Sequence, residues 1–337
     1  MANVYYRPIV QSDPCKPNTA MSLVGGSLWF AFSERITRDG PSEIVPIAEV
    51  PDTVLARLTA SRPPLCGVDM QHPSIMGILN VTPDSFSDGG INFTLDDALN
   101  GACNTIAEGA DIVDIGGEST RPGAEFVEAE EEARRTAPVV AALRTAGVDT
   151  PVSVDTRKAS VARAAFEAGA DLFNDVTGMT YDPDSLTTAA ELGAGVCIMH
   201  SVGEPKTMQD NPQYDNVLLD VYDHLRARIE ACEAVGIPRA EIMVDPGIGF
   251  AKTHAHNLAL LRRISIFHGL GCPILLGVSR KGFIGAIGDA PEAADRLPGS
   301  LAVELDALNQ GVQMLRVHDI AATKQAIALW SALQDED

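Results

Sequence analysis

Residues 76–90 read MGILNVTPDSFSDGG, and this stretch carries more information about the chain than any other. Its first half is apolar, as in a buried strand, and the strand ends at Asn80. The second half is a polar loop, in which Pro83 and the Gly89-Gly90 pair interrupt regular structure. Because stability alone would not gather so many polar side chains at one strand end, we interpret the loop as part of a functional site.

The same alternation of strand and loop continues from about residue 72 onward. Short Val/Ile/Leu-rich runs alternate with amphipathic segments, many of which are followed by a glycine suited to ending a helix. The predicted strands are 74–80, 111–115, 151–155, 172–174, 195–200, 242–245, 274–277 and 314–316. The predicted helices are 95–108, 128–146, 158–168, 184–192, 216–235, 255–267, 293–310 and 320–333.

Eight strand–helix units in a segment of this size predict an α/β fold, a TIM (β/α)8 barrel with a small N-terminal extension. A doubly wound open sheet is the alternative. That fold usually carries a GxGxxG turn after its first strand, and the sequence has none there. We place the barrel at residues 72–337 and the extension, of unknown role, at residues 1–71. The extension is interpreted as an element packed on the barrel, with a flexible tail as the alternative.

A barrel of this kind carries its functional groups at the carboxyl ends of the strands. Polar residues follow nearly every predicted strand: Asn80, Asp114, Asp155, Asn174, His200, Asp245, Ser279, Arg316 and His318. Seven of the 25 cationic residues also follow strand ends: Arg121, Arg157, Lys158, Lys252, Arg280, Lys281 and Arg316. The sequence therefore predicts a positive site for an anionic ligand at this end of the barrel.

The overall charge excludes some classes of partner. With 25 Lys and Arg against 46 Asp and Glu, the net charge is −21, which argues against nucleic-acid binding. No apolar run approaches the roughly 20 residues that span a bilayer. The six cysteines form no CxxC pair, and the first residues lack a signal-peptide pattern, so we expect a cytoplasmic protein without disulfides.

At these strand ends the chain strongly resembles the dihydropteroate synthases. The resemblance covers about residues 74–334 and depends on motifs in one order, at 80–90, 114–123, 153–156, 174–178, 199–209, 245–250, 279–283 and 316–319. This family condenses 6-hydroxymethyl-7,8-dihydropterin pyrophosphate with p-aminobenzoate, releasing pyrophosphate and 7,8-dihydropteroate with assistance from Mg2+. The resemblance implies the same reaction here, with Mg2+ as cofactor, small molecules as substrates, a homodimer and inhibition by sulfonamides.

The resemblance also implies roles for individual residues. The implied pterin site is Asp114, Asp155, Asn174, Met199, Asp245, Phe250, Arg280 and Lys281. The implied pyrophosphate site is Asn80, Thr120, Arg316 and His318, with Asn80 as the protein ligand of Mg2+. The implied p-aminobenzoate site is Phe86, Thr120, Arg121, Pro122, Ser279 and Lys281. The residues expected to act in catalysis are Asp155, Asn80, Arg316 and His318.

The chain departs from the family pattern at two places. Residues 199–203 read MHSVG where the family more usually has MHMQG, which predicts a changed loop surface. Ala251 replaces a frequent glycine, a mild change if its φ is negative. His254 and His256 are interpreted as a solvated helix start rather than metal ligands. A pterin-dependent methyltransferase and a non-catalytic pterin-binding module are the alternative functions.

Overall fold

The structure, a computed structural model, describes residues 4–82, 94–119, 123–204 and 206–334. Its N-terminal segment forms a three-stranded antiparallel sheet in the order β1-β4-β5, a small β2-β3 ladder and one helix. The bounds of these elements are β1 Val4–Pro8, β2 Met21–Ser22, β3 Trp29–Phe30, β4 Phe32–Thr37, β5 Glu43–Pro46 and α1 Asp52–Thr59.

Eight parallel strands then form one sheet that closes on itself. The strands are β6 Ser74–Asn80, β7 Ile112–Gly116, β8 Val152–Asp155, β9 Leu172–Asp175, β10 Gly195–Met199, β11 Ile242–Asp245, β12 Leu275–Leu276 and β13 Met314–Val317. Their order is β11-β10-β9-β8-β7-β6-β13-β12, and a bridge between Val244 and Ile274 joins the two ends. This closure confirms the predicted TIM barrel and excludes the open sheet.

Helices surround the barrel and mostly match their predicted positions. They are α2 Leu95–Glu108, α3 Ala129–Thr145, α4 Ala159–Glu167, α5 Ser185–Leu192, α6 Val217–Ala234, α7 His254–Leu261, α8 Gly282–Ile287, α9 Leu297–Leu308 and α10 Ile320–Ala332. Short 3-10 helices occupy Ile47–Glu49, Arg239–Glu241, Ile264–Leu270 and Ala293–Arg296.

Two helix predictions were wrong in their extent. The helix predicted at 255–267 ends at Leu261, and a tighter 3-10 helix of seven buried residues, Ile264–Leu270, follows it. The helix predicted at 293–310 begins as a 3-10 turn and becomes regular only at α9, where a proline occupies the first turn. The short helix α8 was not predicted, because six residues provide too little periodicity to recognise.

The amino ends of the strands are closed by a hydrophobic floor. Met76, Leu172 and Met314 lie near the starts of their strands and pack against Leu65 and Met70, which precede the barrel. All five side chains are buried. Because this end is filled by apolar side chains, the carboxyl ends of the strands are left to form the polar cavity.

The N-terminal segment is folded against the outer wall of the barrel. The Arg38 guanidinium donates to Asp220 and Asp223 of α6, at 2.7 Å in each case, and the Tyr5 hydroxyl donates to Asp223 at 2.6 Å. Arg62 is buried and donates to the carbonyl oxygen of His268 at 3.1 Å. The last of these contacts reaches the 3-10 helix Ile264–Leu270, whose seven residues are all buried. The division between extension and barrel at residue 71 stays a prediction.

No helix within the described ranges combines the length and the apolar character that crossing a bilayer demands.

Candidate active site

A cavity of about 530 Å³ opens at the carboxyl ends of the barrel strands. It gathers nearly all of the described residues that the sequence assigned to a site. These lining residues are Asn80, Asp155, Asn174, Met199, Asp245, Phe250, Ser279, Arg280, Lys281, Arg316 and His318. They come from seven different strands and the loops that follow them, as expected if the barrel positions the site.

Arg316 is at the centre of a buried ion cluster. Its Nε donates to Asp114 Oδ2 at 2.6 Å, and its Nη2 donates to Asp155 Oδ2 at 2.7 Å. The resemblance assigns this guanidinium to the pyrophosphate site. Two of its three nitrogens are instead bonded to carboxylates, which leaves Nη1 as the nitrogen available to an additional anion.

Asp114 lies beneath the cavity and does not line it. Its carboxylate is fully buried, accepts from the Ser153 hydroxyl at 2.6 Å, and is within 3.3 Å of Asn174 Nδ2. The implied role in direct pterin contact therefore does not agree with this position. Asp114 instead holds Asn174 and Arg316 in place, because one carboxylate accepts hydrogen bonds from both side chains.

Asp155 is the acidic group with the most unusual surroundings. Burial raises the pKa of Asp155 to about 7, although the neighbouring Arg316 acts in the opposite direction. The Asp114 carboxylate contributes to the rise, since Arg316 must compensate both negative charges. Asp155 Oδ1 is buried, and no hydrogen bond from the described residues reaches it. This oxygen is thus available to accept a hydrogen bond from a ligand.

Asp245 and Lys281 are two further charged groups that line the cavity and influence each other's ionisation. Burial raises the pKa of Asp245, while Lys281 is the main influence that lowers it. Burial lowers the pKa of Lys281 to about 8. The Lys281 ammonium contacts the carbonyl oxygen of Ile248 and lies 4.8 Å from the centre of the Phe250 ring. Together these groups offer acceptors, a donor and an aromatic face on one wall.

The cavity is less positive than the sequence predicted. Arg157 and Lys158 are buried and pair with Glu118, a residue that lines the cavity, at 3.2 Å and 3.0 Å, and Lys158 also contacts Glu132. Neither side chain lines the cavity. Their prediction as part of an anion site was wrong, because a buried carboxylate pair compensates them.

Lys252 lines the cavity. The sequence predicted it only as one of the cations that follow strand ends. Its ammonium lies 2.9 Å from His200 Nδ1 and 2.9 Å from the carbonyl oxygen of Phe250. Burial lowers the pKa of Lys252 to about 7. Lys252 therefore joins the end of β10 to the loop after β11. Its position seven residues after the strand-end Asp245 was the only sequence feature that could have indicated this.

His254 and His256 begin helix α7, as the sequence predicted. The Thr253 side chain and the His256 ring form reciprocal hydrogen bonds with each other's backbone amides at this helix start. Across the described residues, no group of three or more His, Cys, Asp or Glu side chains is arranged to hold a metal ion.

Ala251 does not meet the condition under which its replacement of glycine would be mild, a negative φ. Its φ is +49°, and the residue is buried. An L-residue in the left-handed region is strained by about 1–2 kcal/mol, whereas glycine is not. Glycine, which is frequent in the family at this position, would adopt the same backbone conformation without this strain.

Four predicted site residues, Phe86, Thr120, Arg121 and Pro122, lie outside the described residues.

Comparison with known proteins agrees with this geometry. A family model described as pterin binding enzyme matches residues 76–318. The dihydropteroate synthase of Haemophilus influenzae is 47% identical over 265 residues, which cover 79% of this chain and 95% of that protein.

Solved structures give the same result. A Xanthomonas albilineans dihydropteroate synthase with 4-aminobenzoic acid is 43% identical, with a TM-score of 0.77 over 82% of this chain and 100% of the other. A Yersinia pestis dihydropteroate synthase with a sulfonamide drug complex is 44% identical, with a TM-score of 0.75 over 79% of this chain and 96% of the other. The chain belongs to the pterin-binding enzymes and, among them, to the dihydropteroate synthases.

We expect replacement of Asp155 by Asn to stabilise the protein at pH 8 but less so at pH 5. Burial holds the pKa of Asp155 at about 7, above the ~3.9 of an unfolded Asp. The folded state then binds the proton more tightly, so stability falls as the pH rises from about 4 to about 7. Arg316 keeps Asp114 as its partner in the variant. Urea unfolding at pH 5, 6, 7 and 8 measures the difference.

The control for this experiment is replacement of the exposed Asp39 by Asn, whose effect should not vary in the same way. An Asp155→Asn difference that is equal at every pH would contradict the expectation.

Replacement of Ala251 by Gly should raise the free energy of unfolding by about 0.5–1 kcal/mol. Relief of left-handed strain, about 1–2 kcal/mol, exceeds the added freedom of the unfolded chain, about 0.4–1 kcal/mol. Ala165 in helix α4 is buried, and Ala165→Gly should instead destabilise by about 1 kcal/mol. Denaturant unfolding measures both changes, and a loss of stability in both variants would refute the strain argument.

Proposed function

We propose that this protein condenses 6-hydroxymethyl-7,8-dihydropterin pyrophosphate with p-aminobenzoate, forming 7,8-dihydropteroate and pyrophosphate, at the cavity of the barrel. The observation that carries the proposal is the placement of Arg316 and His318 in one cavity with Asp155, Asn174 and Asp245. Such a cavity has cations for a leaving group beside acceptors for a heterocycle. Both are needed when a charged leaving group departs from a pterin.

The pterin ring is the ligand that the deep wall fits. Its edge alternates hydrogen-bond donors and acceptors, which carboxylates and amides match group by group. Asp245 and the unbonded Oδ1 of Asp155 accept from ring N–H groups, while Asn174 and Lys281 complete the edge. Burial of these groups strengthens each interaction because water is excluded.

The pyrophosphate would lie next to the pterin ring, against Arg316, His318 and Asn80. His318 Nδ1 lies 3.1 Å from Ser279 Oγ, which fixes the orientation of the ring. Arg316 reaches the pyrophosphate through Nη1, since its other two nitrogens contact carboxylates. Thr120, the fourth residue implied here, lies outside the described residues.

The described residues fit a Mg2+ ion that is held mainly by substrate and water. Asn80 is at the end of β6 and lines the cavity, and its carboxamide oxygen is a suitable ligand for Mg2+. The ion supplies positive charge to the phosphate oxygens when bound.

The chemistry follows from the charges around the cavity. Loss of pyrophosphate leaves a pterin cation, which the carboxylate of Asp155 stabilises at close range. Arg316 and His318 stabilise the negative charge that develops on the leaving group. The aniline nitrogen of p-aminobenzoate then attacks, and it needs no strong base because it is already nucleophilic near neutral pH. Ser279 and Lys281 are the described residues proposed to hold the second substrate.

The alternatives place different demands on the site. A pterin-dependent methyltransferase would need the acceptor set but not the neighbouring Ser279, Arg280 and Lys281, which all line the cavity. A non-catalytic pterin-binding module would not need Asn80 or Arg316. Because Asn80 and Arg316 line the same cavity as Ser279, Arg280 and Lys281, the site favours the synthase.

Other properties implied by the family stay predictions. They are a homodimer, a cytoplasmic location and inhibition by sulfonamides. The sulfonamide complex of the Yersinia pestis relative supports the last of these.

The function is tested by adding the pterin pyrophosphate and Mg2+ to the purified protein, with and without p-aminobenzoate. We expect pyrophosphate release and formation of dihydropteroate that requires p-aminobenzoate and is inhibited by a sulfonamide. Omission of Mg2+ should slow release, which tests the cofactor separately. Tight pterin binding without any turnover would support the binding module and contradict the proposal.

Replacement of Asp155 by Asn should slow C–O cleavage far more than it weakens pterin binding. We expect a loss of about 100-fold or more in the single-turnover rate, because stabilisation of developing charge is lost, and a change of about tenfold or less in pterin Kd. Single-turnover pyrophosphate release and calorimetric titration measure the two quantities. Equal losses in both would mean that Asp155 serves binding alone.

A further inference from the structure

Lys252 is a buried cation whose hydrogen bonds go to uncharged groups. Its side chain lines the cavity, and the residue is 3% exposed. The ammonium lies 2.9 Å from His200 Nδ1, 3.3 Å from the carbonyl oxygen of His200 and 2.9 Å from the carbonyl oxygen of Phe250. A lysine ammonium has three donors and no acceptor, so these acceptors match its donors one for one. Because each donor is used in this way, Lys252 is not suited to binding a ligand directly.

The contact with Lys252 determines the form of the His200 ring. Burial lowers the pKa of His200 to about 2, so the ring is neutral near pH 7. A neutral imidazole has one donor nitrogen and one acceptor nitrogen. Because the Lys252 ammonium donates to Nδ1, the proton of the His200 ring lies on Nε2. The His200 amide also donates to the carbonyl oxygen of Asp245 at 3.0 Å, where the end of β10 meets the end of β11.

The loop after β11 lies directly against the end of β10. Gly247 has a φ of +68°, and a Cβ at this position would lie 2.0 Å from the carbonyl oxygen of His200. Glycine permits this approach because it has no Cβ. The Gly247 amide donates to Asp245 Oδ1 at 2.7 Å, and the Phe250 amide donates to the carbonyl oxygen of Gly247 at 3.1 Å. The loop is therefore packed on the same strand end that Lys252 contacts.

Phe250 is the residue of this loop through which Lys252 reaches the cavity. Phe250 lines the cavity, and the Lys281 ammonium lies 4.8 Å from the centre of its ring. The next residue, Ala251, has a φ of +49°, and its carbonyl oxygen accepts from the Tyr214 hydroxyl at 2.8 Å. A strained backbone persists only where surrounding contacts maintain it. Lys252 and Tyr214 thus hold two consecutive carbonyl oxygens and fix the backbone that carries the Phe250 ring.

From these contacts we propose that Lys252 is a positioning residue for pterin binding. Its ammonium ties the backbone of Phe250 to the end of β10 and so sets the Phe250 ring in the cavity wall. Lys252 acts on the ligand through Phe250, because its own donors are already used. The inference rests on the proposed function, since the pterin is the ligand that this wall would contact.

Loss of the ammonium would release the end of this loop. His200 Nδ1 and the carbonyl oxygen of Phe250 would lose their common donor, and the Phe250 ring would no longer be held in one place. A wall that contacts the pterin ring contributes equally to the bound substrate and to the transition state. Its displacement should therefore raise KM and Kd without a matching fall in kcat. The effect should disappear when the Phe250 ring is absent.

A double-mutant cycle tests this dependence. The variants are Lys252→Met, Lys252→Gln, Phe250→Ala and Phe250→Ala combined with each Lys252 change. Methionine keeps much of the length of the side chain but has no donor, whereas glutamine keeps an amide donor without the charge. The readouts are kcat and KM for the pterin pyrophosphate and the Kd of 6-hydroxymethyl-7,8-dihydropterin measured by calorimetry.

We expect Lys252→Met to raise both Kd and KM by about tenfold and to change kcat by less than about threefold. Lys252→Gln should cause a smaller loss in the same direction, and it provides the same test if the methionine variant does not fold. In the Phe250→Ala background, either Lys252 change should alter Kd by less than about twofold. Losses that multiply in the double variants would overturn the proposal. A lower unfolding temperature with unchanged pterin affinity would also overturn it, because Lys252 would then be purely structural.

The His200 ring provides a second test, which a purely structural role of Lys252 would not predict. Protein with 15N-labelled histidine gives ring signals for seven residues, and those of His200 are identified by their loss in a His200→Asn variant. At pH 7 we expect a neutral ring with its proton on Nε2. A proton on Nδ1 would mean that the ammonium does not donate to this ring, and the proposed tie to β10 would be wrong.

The matched control is Lys324→Met. Lys324 is an exposed lysine on helix α10, and it does not line the cavity. Because the same change of residue type is made far from the proposed tie in sequence and outside the cavity, we expect Kd, KM and kcat to remain at wild-type values.

Failure of the proposed function is distinguishable from failure of this inference. Pterin affinity is measured without turnover, so a protein that binds pterin with the expected coupling but forms no dihydropteroate would refute only the synthase. A protein that forms dihydropteroate while the Lys252 and Phe250 substitutions act independently would refute only the role of Lys252.

Discussion

The active site depends on one guanidinium that compensates two buried carboxylates. Arg316 bonds to both Asp114 and Asp155, and without it two negative charges would remain in a region from which water is largely excluded. Loss of the arginine would leave buried charges without compensation, which typically destabilises a protein by about 3–5 kcal/mol. The same cluster positions Asn174 through Asp114 and leaves one oxygen of Asp155 free for a ligand. Stability and function thus depend on the same ionic interaction.

The closed floor gives this cluster its environment. Leu65 and Met70 fill the amino end of the barrel, so the polar strand ends open to solvent on one side only. Burial then raises the pKa of Asp155 and lowers the pKa of Lys281, and each of these groups lies where a ligand would contact it. Such shifts are common at catalytic sites, because ligand binding and chemistry exploit groups that water does not stabilise.

Tertiary contacts decide which of the cations near the cavity can contribute to the site. Arg157 and Arg280 both follow strand ends, and the sequence treats them alike. Arg157 is paired with the buried Glu118 and does not line the cavity, whereas Arg280 lines it and is paired with Asp319. The cavity is therefore built from compensated charges, which favour recognition of a planar polar ring along with an anion.

The sequence alone determined the alternation of strands and helices and the set of polar residues at the strand ends, because periodicity and strand-end chemistry are local properties. Most of the described site residues could be predicted for that reason. Tertiary structure decided which charges meet: Arg316 is 202 residues from Asp114 and 161 from Asp155, and only closure of the barrel brings them together. It also decided the left-handed backbone of Ala251, since φ is set by the contacts of the folded loop rather than by the identity of the residue.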